Sequence, residues 1–210
     1  MCENFTRIPM EEQKRILDAC MEEFARHGYQ QASTNAMVKK AGIPKGTLFF
    51  YFGSKKDLYL YIIDRAVARY IESIQEYAQN PPADLFDRIL YYGQSRMQFA
   101  LSEPDTYRLF FNAFVNSPDE IKAEVQSRYA GYAAASMQMI YSDLDRTPFR
   151  SEVQVEKVIE LVYLVLEGIF SRYQSRLQAL TPEQSLEWVQ QLPSEVGDYF
   201  EMIKHGVYQD

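Results

Sequence analysis

Residues 44–58 read PKGTLFFYFGSKKDL, with four aromatic side chains in a row (Phe49, Phe50, Tyr51, Phe52) set between Lys45 and the pair Lys55 and Lys56. A short apolar run fits a buried strand as well as a helix, and the flanks decide for helix. Pro44 suits a first helical turn, where its missing N–H has no bond to lose. Gly42 ahead of it is placed to close the preceding helix. Downstream, Ser54-Lys55-Lys56-Asp57 has the spacing of a capping box at the start of another helix. On a helix over about 44–52, Leu48 and Phe52 stand four apart and share the inward face. Phe49 and Phe50 flank that face and Tyr51 lies across from it, so three rings are expected to face outward beside lysines.

The same reasoning extends in both directions. Ile16, Leu17, Cys20, Met21 and Phe24 recur at three- and four-residue spacing and predict a helix from Met10 to His27, stopped at Gly28. Ser33 is placed to cap a short helix through Lys40, with Ala36, Met37 and Val38 on its inner side. After the capping box, Leu58, Ile62, Ala66, Tyr70 and Ile74 carry a long helix to Asn80-Pro81-Pro82. Further helices are predicted at about 83–101, 105–115, 118–142, 151–179, 183–191 and 194–207. Pro104, Pro118, Pro148, Pro182 and Pro193 all fall at their junctions. No strand alternation or Asn-Gly hairpin occurs, so the fold class is all-α.

Charge divides the chain. Over all 210 residues the net charge is −7, yet residues 1–56 hold nine Lys/Arg against six Asp/Glu, a net of +3. The remainder therefore carries −10, since −7 − 3 = −10. Between 33 and 56 there are five lysines and no acid. A basic module on an acidic body is the reading. The apolar fraction of 47% fits a globular protein, and no run is long enough to span a membrane. The first residues contain no apolar block of the signal-peptide kind. Two cysteines, Cys2 and Cys20, make no disulfide framework, and a cytoplasmic location is expected. Cys20 sits on an apolar stripe, while Cys2 falls in a frayed tail.

Catalysis and metal binding have little to stand on. Two histidines, His27 and His205, lie in different modules, too few with the cysteines for a metal site. His27 suits the C-terminal end of its helix, where a positive charge complements the dipole. Gly-rich phosphate loops, Ser–His or Cys–His pairings and HExxH are missing, so an enzyme, a metal and a cofactor are not expected.

Two short helices joined by a tight Gly-containing turn, Ala41-Gly42-Ile43, form a helix-turn-helix. The second helix of such a pair enters a major groove about 12 Å wide with its N-terminal residues toward the bases. Outward rings beside lysines suit that surface: their edges can meet thymine methyls or sugars, and a tyrosine hydroxyl can reach a phosphate. Lys55 adds charge to a helix start whose N–H groups already favour phosphate. The stretch ASTNAMVKKAGIPKGTLFFYFGSKKDLYLYII resembles the DNA-binding region of TetR-family transcriptional regulators. The resemblance covers Arg15 to Ile63 and rests on Ala41-Gly42-Ile43, Lys45-Gly46-Thr47-Leu48 with its aromatics, and Phe52-x-Ser54-Lys55-x-x-Leu58. It implies a three-helix DNA-binding domain over 1–55 and a helical ligand-binding and dimerisation domain over 56–210. It implies that Lys45, Gly46, Phe49, Phe50 and Tyr51 meet the DNA, and that Ser33, Thr34, Thr47 and Lys55 hold phosphates. Pro44 departs from the Ser or Thr of many members. Phe49 and Phe50 replace the common Tyr or His, which shifts readout toward apolar contact.

The acidic body reads as a regulator and dimeriser of that head. Segment 151–179 has apolar side chains around nearly its whole circumference, so its outer side calls for a partner, most economically the same helix of a second copy. The helix at 194–207 joins it, and the resemblance implies a four-helix interface about a twofold axis. The stretch 91–141 is rich in Tyr, Phe and Met. Met97, Tyr107, Phe110, Phe111, Phe114 and Tyr132, with Tyr163, Glu167 and Phe170, are the candidates to wall a small apolar or aromatic ligand site. Gly93, Gly131 and Gly168 inside predicted helices are expected to mark close packing or a cavity wall. Two readings stay open: a homodimeric repressor released from a palindromic operator by a small ligand, and a DNA-associated scaffold working through protein partners without an inducer.

Overall fold

Helix-forming periodicity becomes helix almost throughout. A computed structural model describes residues 3–209, apart from the side chains of Glu3, Phe170, Tyr173, Gln174, Ser175 and Trp188. Cys2 and Phe170, singled out above, thus lie outside the described residues or side chains. Among the described residues the chain forms α1 (Glu3–Thr6), α2 (Met10–Gln31), α3 (Thr34–Ala41), α4 (Lys45–Phe52), α5 (Lys55–Tyr77), α6 (Leu85–Ser102) and α7 (Pro104–Phe110). A π-turn, Phe111–Val115, prolongs α7 and is followed by α8 (Lys122–Tyr141), α9 (Val155–Gln178), α10 (Pro182–Val189) and α11 (Leu192–Val207). The only extended pairing among these residues is one isolated bridge between Phe149 and Tyr208. No described helix is long and apolar enough to cross a membrane.

Two compact units result. The first joins the residues up to Ser73 with Ala100–Ala133, and the second joins Ile74–Phe99 with the residues from Ala134 onward. In the first unit, Ile16, Cys20 and Phe24 of α2 meet Leu48 and Phe52 of α4 and Leu58, Tyr59 and Ile62 of α5 in one buried cluster. Three details depart from the sequence expectation. Gly28 takes the expected left-handed φ of 64° but does not end α2, which bends there and continues to Gln31. The buried ring of Tyr29, 5.1 Å from that of Tyr59, anchors the extra turn. The segment ahead of Met10 folds into α1, whose Phe5 is fully buried, and Gln13 Nε2 donates to the Ile8 carbonyl at 2.8 Å to hold it. Finally, a Cβ on Gly93, Gly131 or Gly168 would meet no atom within 4 Å, so close packing within the chain is not what they serve.

In the second unit a buried arginine closes a helix. Arg88 donates to the Ile140 carbonyl at 3.4 Å, to that of Ser142, and to that of Asp143 at 3.3 Å, all at the C-terminal end of α8. That end carries the negative pole of the helix dipole, so carbonyls satisfy the buried cation. At the other edge Tyr208 Oη donates to Asp84 Oδ2 at 2.6 Å, and Arg150 Nε donates to the Tyr208 carbonyl at 2.7 Å. Along α9, Val158, Val162 and Ile169 are buried while Leu161, Tyr163 and Leu164 are exposed. The helix is thus apolar all round but covered on one side by its own chain.

Candidate nucleic-acid interface

The helix-turn-helix forms as its residues dictate. Ser33 Oγ accepts the Ala36 N–H at 3.3 Å and caps α3, while the Ser33 N–H donates to Glu23 Oε1 at 2.8 Å. Thr34 follows, half-buried, as the first residue of α3. Gly42, at φ 65°, ends α3 in the left-handed region, and its neighbour Ile43 donates to the Val38 carbonyl at 3.1 Å. Pro44, at φ −63° and ψ 146°, turns the chain into α4. Ser54 also caps α5: the Asp57 N–H donates to Ser54 Oγ at 3.0 Å, and the Ser54 hydroxyl donates to Asp57 Oδ2 at 2.6 Å, while the Ser54 N–H goes to the Phe52 carbonyl and leaves the second half of the box unformed.

The first turn of α4 presents Lys45 and Gly46 to solvent and Thr47 partly. Phe50 is 66% exposed, an unusual position for a phenyl ring with no polar tip. Phe49 is half-buried, with Lys45 Nζ 6.0 Å above its ring. Leu48 and Phe52 are buried, as the four-residue spacing requires.

Two expectations change. Tyr51 is only 8% exposed, because Phe5 of α1 lies edge-on to it at 5.5 Å and covers the side of α4 that helix geometry alone leaves open. Its ring belongs to the core of the head and does not face outward with Phe50. Lys55 turns back into the head as well. Its Nζ donates to the Gln30 carbonyl at 3.1 Å and stands 5.2 Å over the Tyr29 ring, and burial lowers its pKa. Lys40 pairs with Glu22 and Lys56 with Glu124, whereas Lys39 and Lys45 are exposed and in no ion pair among the described residues. Cys20 is buried, and burial pushes its thiol up to about 12, which leaves it inert.

The aromatic candidates divide between the units. Tyr107, Phe110, Phe111, Phe114 and Tyr132 belong to the first. There Phe110, Phe114 and Tyr132 join Tyr70 and Tyr129 in ring contacts of 5.2–6.1 Å. Met97, half-buried, is in the second unit, where Tyr163 and Glu167 are exposed on α9 and do not wall an interior space. Periodicity missed this because a helix apolar all round gives no sign of which side its own chain covers. A groove of about 800 Å³ does run along the first unit, lined by Leu17, Met21, Ile62, Ala66 and Arg65 among others, and none of the nominated residues whose side chains are described lies along it. Asn112 escaped sequence reading altogether; its side chain contacts α2 from a π-turn for which no sequence signal was read.

Residues 16–62 match the family model described as bacterial regulatory proteins, tetR family. Over 170 residues, 80% of this chain and 83% of the relative, the sequence is 22% identical to the HTH-type transcriptional repressor AcnR of Corynebacterium efficiens. It is 29% identical over 122 residues to the HTH-type transcriptional activator FasR of Mycolicibacterium smegmatis, covering 57% and 55% of the two chains. Among solved structures, a TetR transcription regulator from Haloarcula marismortui superposes with a TM-score of 0.64 at 19% identity, over 90% of this chain and 97% of that one. The fatty acid degradation regulator FadR from Bacillus halodurans gives 0.57 at 17% identity, over 86% and 96%. At these identities the structural likeness speaks for the fold.

Proposed function

We propose that the chain, whose residues 16–62 match the tetR family model, works as a homodimeric transcriptional repressor of a palindromic operator, released by a small apolar or aromatic ligand. Residues 1–55 read the DNA; residues 56–210 dimerise and respond. The observation that carries the DNA-reading part is Phe50, a two-thirds exposed phenyl ring beside the exposed Lys45 at the first turns of α4. Such a ring suits a thymine methyl in the major groove, and Lys45 suits a base edge or phosphate. Gly46, where an added Cβ would meet no atom within 4 Å, leaves room for close approach of the duplex. Ser33, Thr34 and Thr47 lie along the same helix-turn-helix, where backbone N–H groups and hydroxyls meet phosphates.

Dimerisation through α9 and α11 is supported by the apolar groups their chain leaves uncovered, Leu161, Tyr163 and Leu164 on α9 and Met202 on α11. An isologous contact sets two heads at a fixed spacing, which is what a palindrome requires. For the ligand, the support is the ring-lined stretch at Tyr107, Phe110, Phe111, Phe114 and Tyr132 in the first unit. A ligand acts only if it binds the DNA-incompetent state better. Relatives are regulators of both signs, AcnR a repressor and FasR an activator. No catalytic role is part of this reading, and its place is the cytoplasm.

The test is binding to a duplex from the region upstream of the protein's own gene, at two salt concentrations, for wild type, Lys45→Gln and Phe50→Ala. Wild type is expected to select one short palindrome. Phe50→Ala is expected to lose that preference while keeping weak salt-sensitive binding. Equal binding to the palindrome and to a scrambled duplex by wild type would overturn the reading.

A further inference from the structure

Two interruptions of regular helix face each other in the first unit. One is the bend at Gly28 in α2, with φ 64° and ψ −178°. The other is the π-turn Phe111–Val115, a geometry that proteins use sparingly and often at functional sites. Asn112 joins them: its Nδ2 donates to the Ala25 carbonyl at 2.9 Å. In a regular helix that carbonyl takes the N–H of residue 29, and the non-helical Gly28 stands between the two. A Cβ on residue 28 would stand 4.0 Å from Asn112 Cγ, so the amide lies close over the bend.

Beyond the bend, α2 has one turn left before the chain enters α3, and the start of α5 is fastened to that turn. The Gln30 carbonyl accepts from Lys55, and the Tyr29 ring lies against Tyr59. The orientation of this turn sets where α3 and α4 start. We infer that Asn112 is a positioning residue for DNA reading: by holding the Ala25 carbonyl it fixes the bend at Gly28, and so the direction in which α2 delivers the helix-turn-helix. The inference rests on the DNA-reading function above but names a side chain outside the helix-turn-helix.

The π-turn gives this contact a lever. Phe110 and Phe114, two residues to either side of Asn112, lie ring to ring at 5.5 Å and close a circuit with Tyr129, Tyr132 and Tyr70. Repacking of those rings moves the turn that carries Asn112, and the amide with it.

The experiment uses the full chain with Asn112→Ala, Asn112→Asp and Asn112→Gln. Asp keeps the shape but turns an acceptor toward the Ala25 carbonyl, while Gln keeps an amide donor. Affinity is measured for the operator duplex and for a scrambled one, together with amide hydrogen exchange at residues 29–32 and the melting temperature. Ala and Asp are expected to lose about fivefold to tenfold in operator affinity with scrambled-duplex binding unchanged. Exchange at 29–32 is expected to rise, and Gln to recover part of both. Operator binding at wild-type strength in Ala and Asp would overturn the inference alone. So would an equal loss on both duplexes that tracks a fall in melting temperature, since that marks a merely structural contact. A wild type that selects no operator removes the reading beneath it as well.

Discussion

Lys55 reaches back from the start of α5 to the Gln30 carbonyl at 3.1 Å, with its ammonium 5.2 Å above the Tyr29 ring. A cation at a helix C-terminus and over an aromatic face is favourable on both counts. Its position at the start of a helix suits a phosphate, yet burial disfavours its charge, and the nearby carboxylates of Glu120 and Glu23 offset that only in part.

Lys55→Gln is therefore expected to cost about 1 kcal/mol of stability, the sum of a helix-end and a cation–π contribution. The slope of log affinity against log salt should stay at the wild-type value. Lys45→Gln should do the opposite, lowering that slope by about one with little effect on unfolding. Denaturant melts and salt titrations of both variants decide the matter. A reduced slope for Lys55→Gln would put that ammonium on a phosphate after all.

Phe50 and Tyr51 are neighbours with opposite fates, and truncation separates them. Tyr51 is buried against Phe5, so Tyr51→Ala opens a cavity and should destabilise the fold by about 3 kcal/mol. Phe50→Ala removes an exposed ring and should leave stability within about 0.5 kcal/mol while abolishing operator preference. Circular-dichroism melts alongside gel shifts would expose the reverse pattern, which would mean that α1 does not cover α4 in solution.

Glu124 makes a pH test. Hydrogen bonding from Lys56 above all, then its own backbone and the charges of Lys56 and Arg128, hold its carboxyl below the ordinary 4.5. A carboxyl whose pKa falls on folding adds stability that is complete above about pH 4.5 and is lost as pH drops through the lowered value. Carbon-detected NMR titration should find Glu124 below 4.5 in wild type and nearer 4.5 in Lys56→Met. Identical titration in the two proteins would mean the pair is not formed.

The sequence was most readable where one helix decides its own fate. The turn at Gly42, the caps at Ser33 and Ser54, and the burial of Leu48 and Phe52 all follow from spacing and side-chain chemistry within a few residues. Tyr51 failed because its cover, Phe5, comes from a segment with too few residues to show a period. Lys55 turns inward because the carbonyl it meets sits at the end of an α2 that outlasts Gly28. The exposure of Tyr163 and Glu167 was hidden for a related reason: a helix apolar on every side cannot say which side its own chain occupies. Periodicity gives angles about an axis, and tertiary partners decide what each angle meets.

That uncovered side of α9 leads to the last prediction. Leu161 and Leu164 are 44% and 55% exposed, and Gly168, one turn beyond Leu164, has open space around its Cβ position. Leucine, leucine and glycine at this spacing form a stripe that a second copy's helix can approach closely. Burying each leucine contributes about 1.5–3 kcal/mol, while an arginine in its place leaves a desolvated charge in the contact. Leu164→Arg should therefore raise the dimer dissociation constant by about 100-fold or more, with helicity unchanged. Sedimentation velocity across protein concentration measures this directly, and operator binding should fall in step because a palindrome needs two linked heads. A Leu164→Arg protein that sediments as the wild-type dimer would move the subunit interface away from α9, since no well-packed contact on that face tolerates the change.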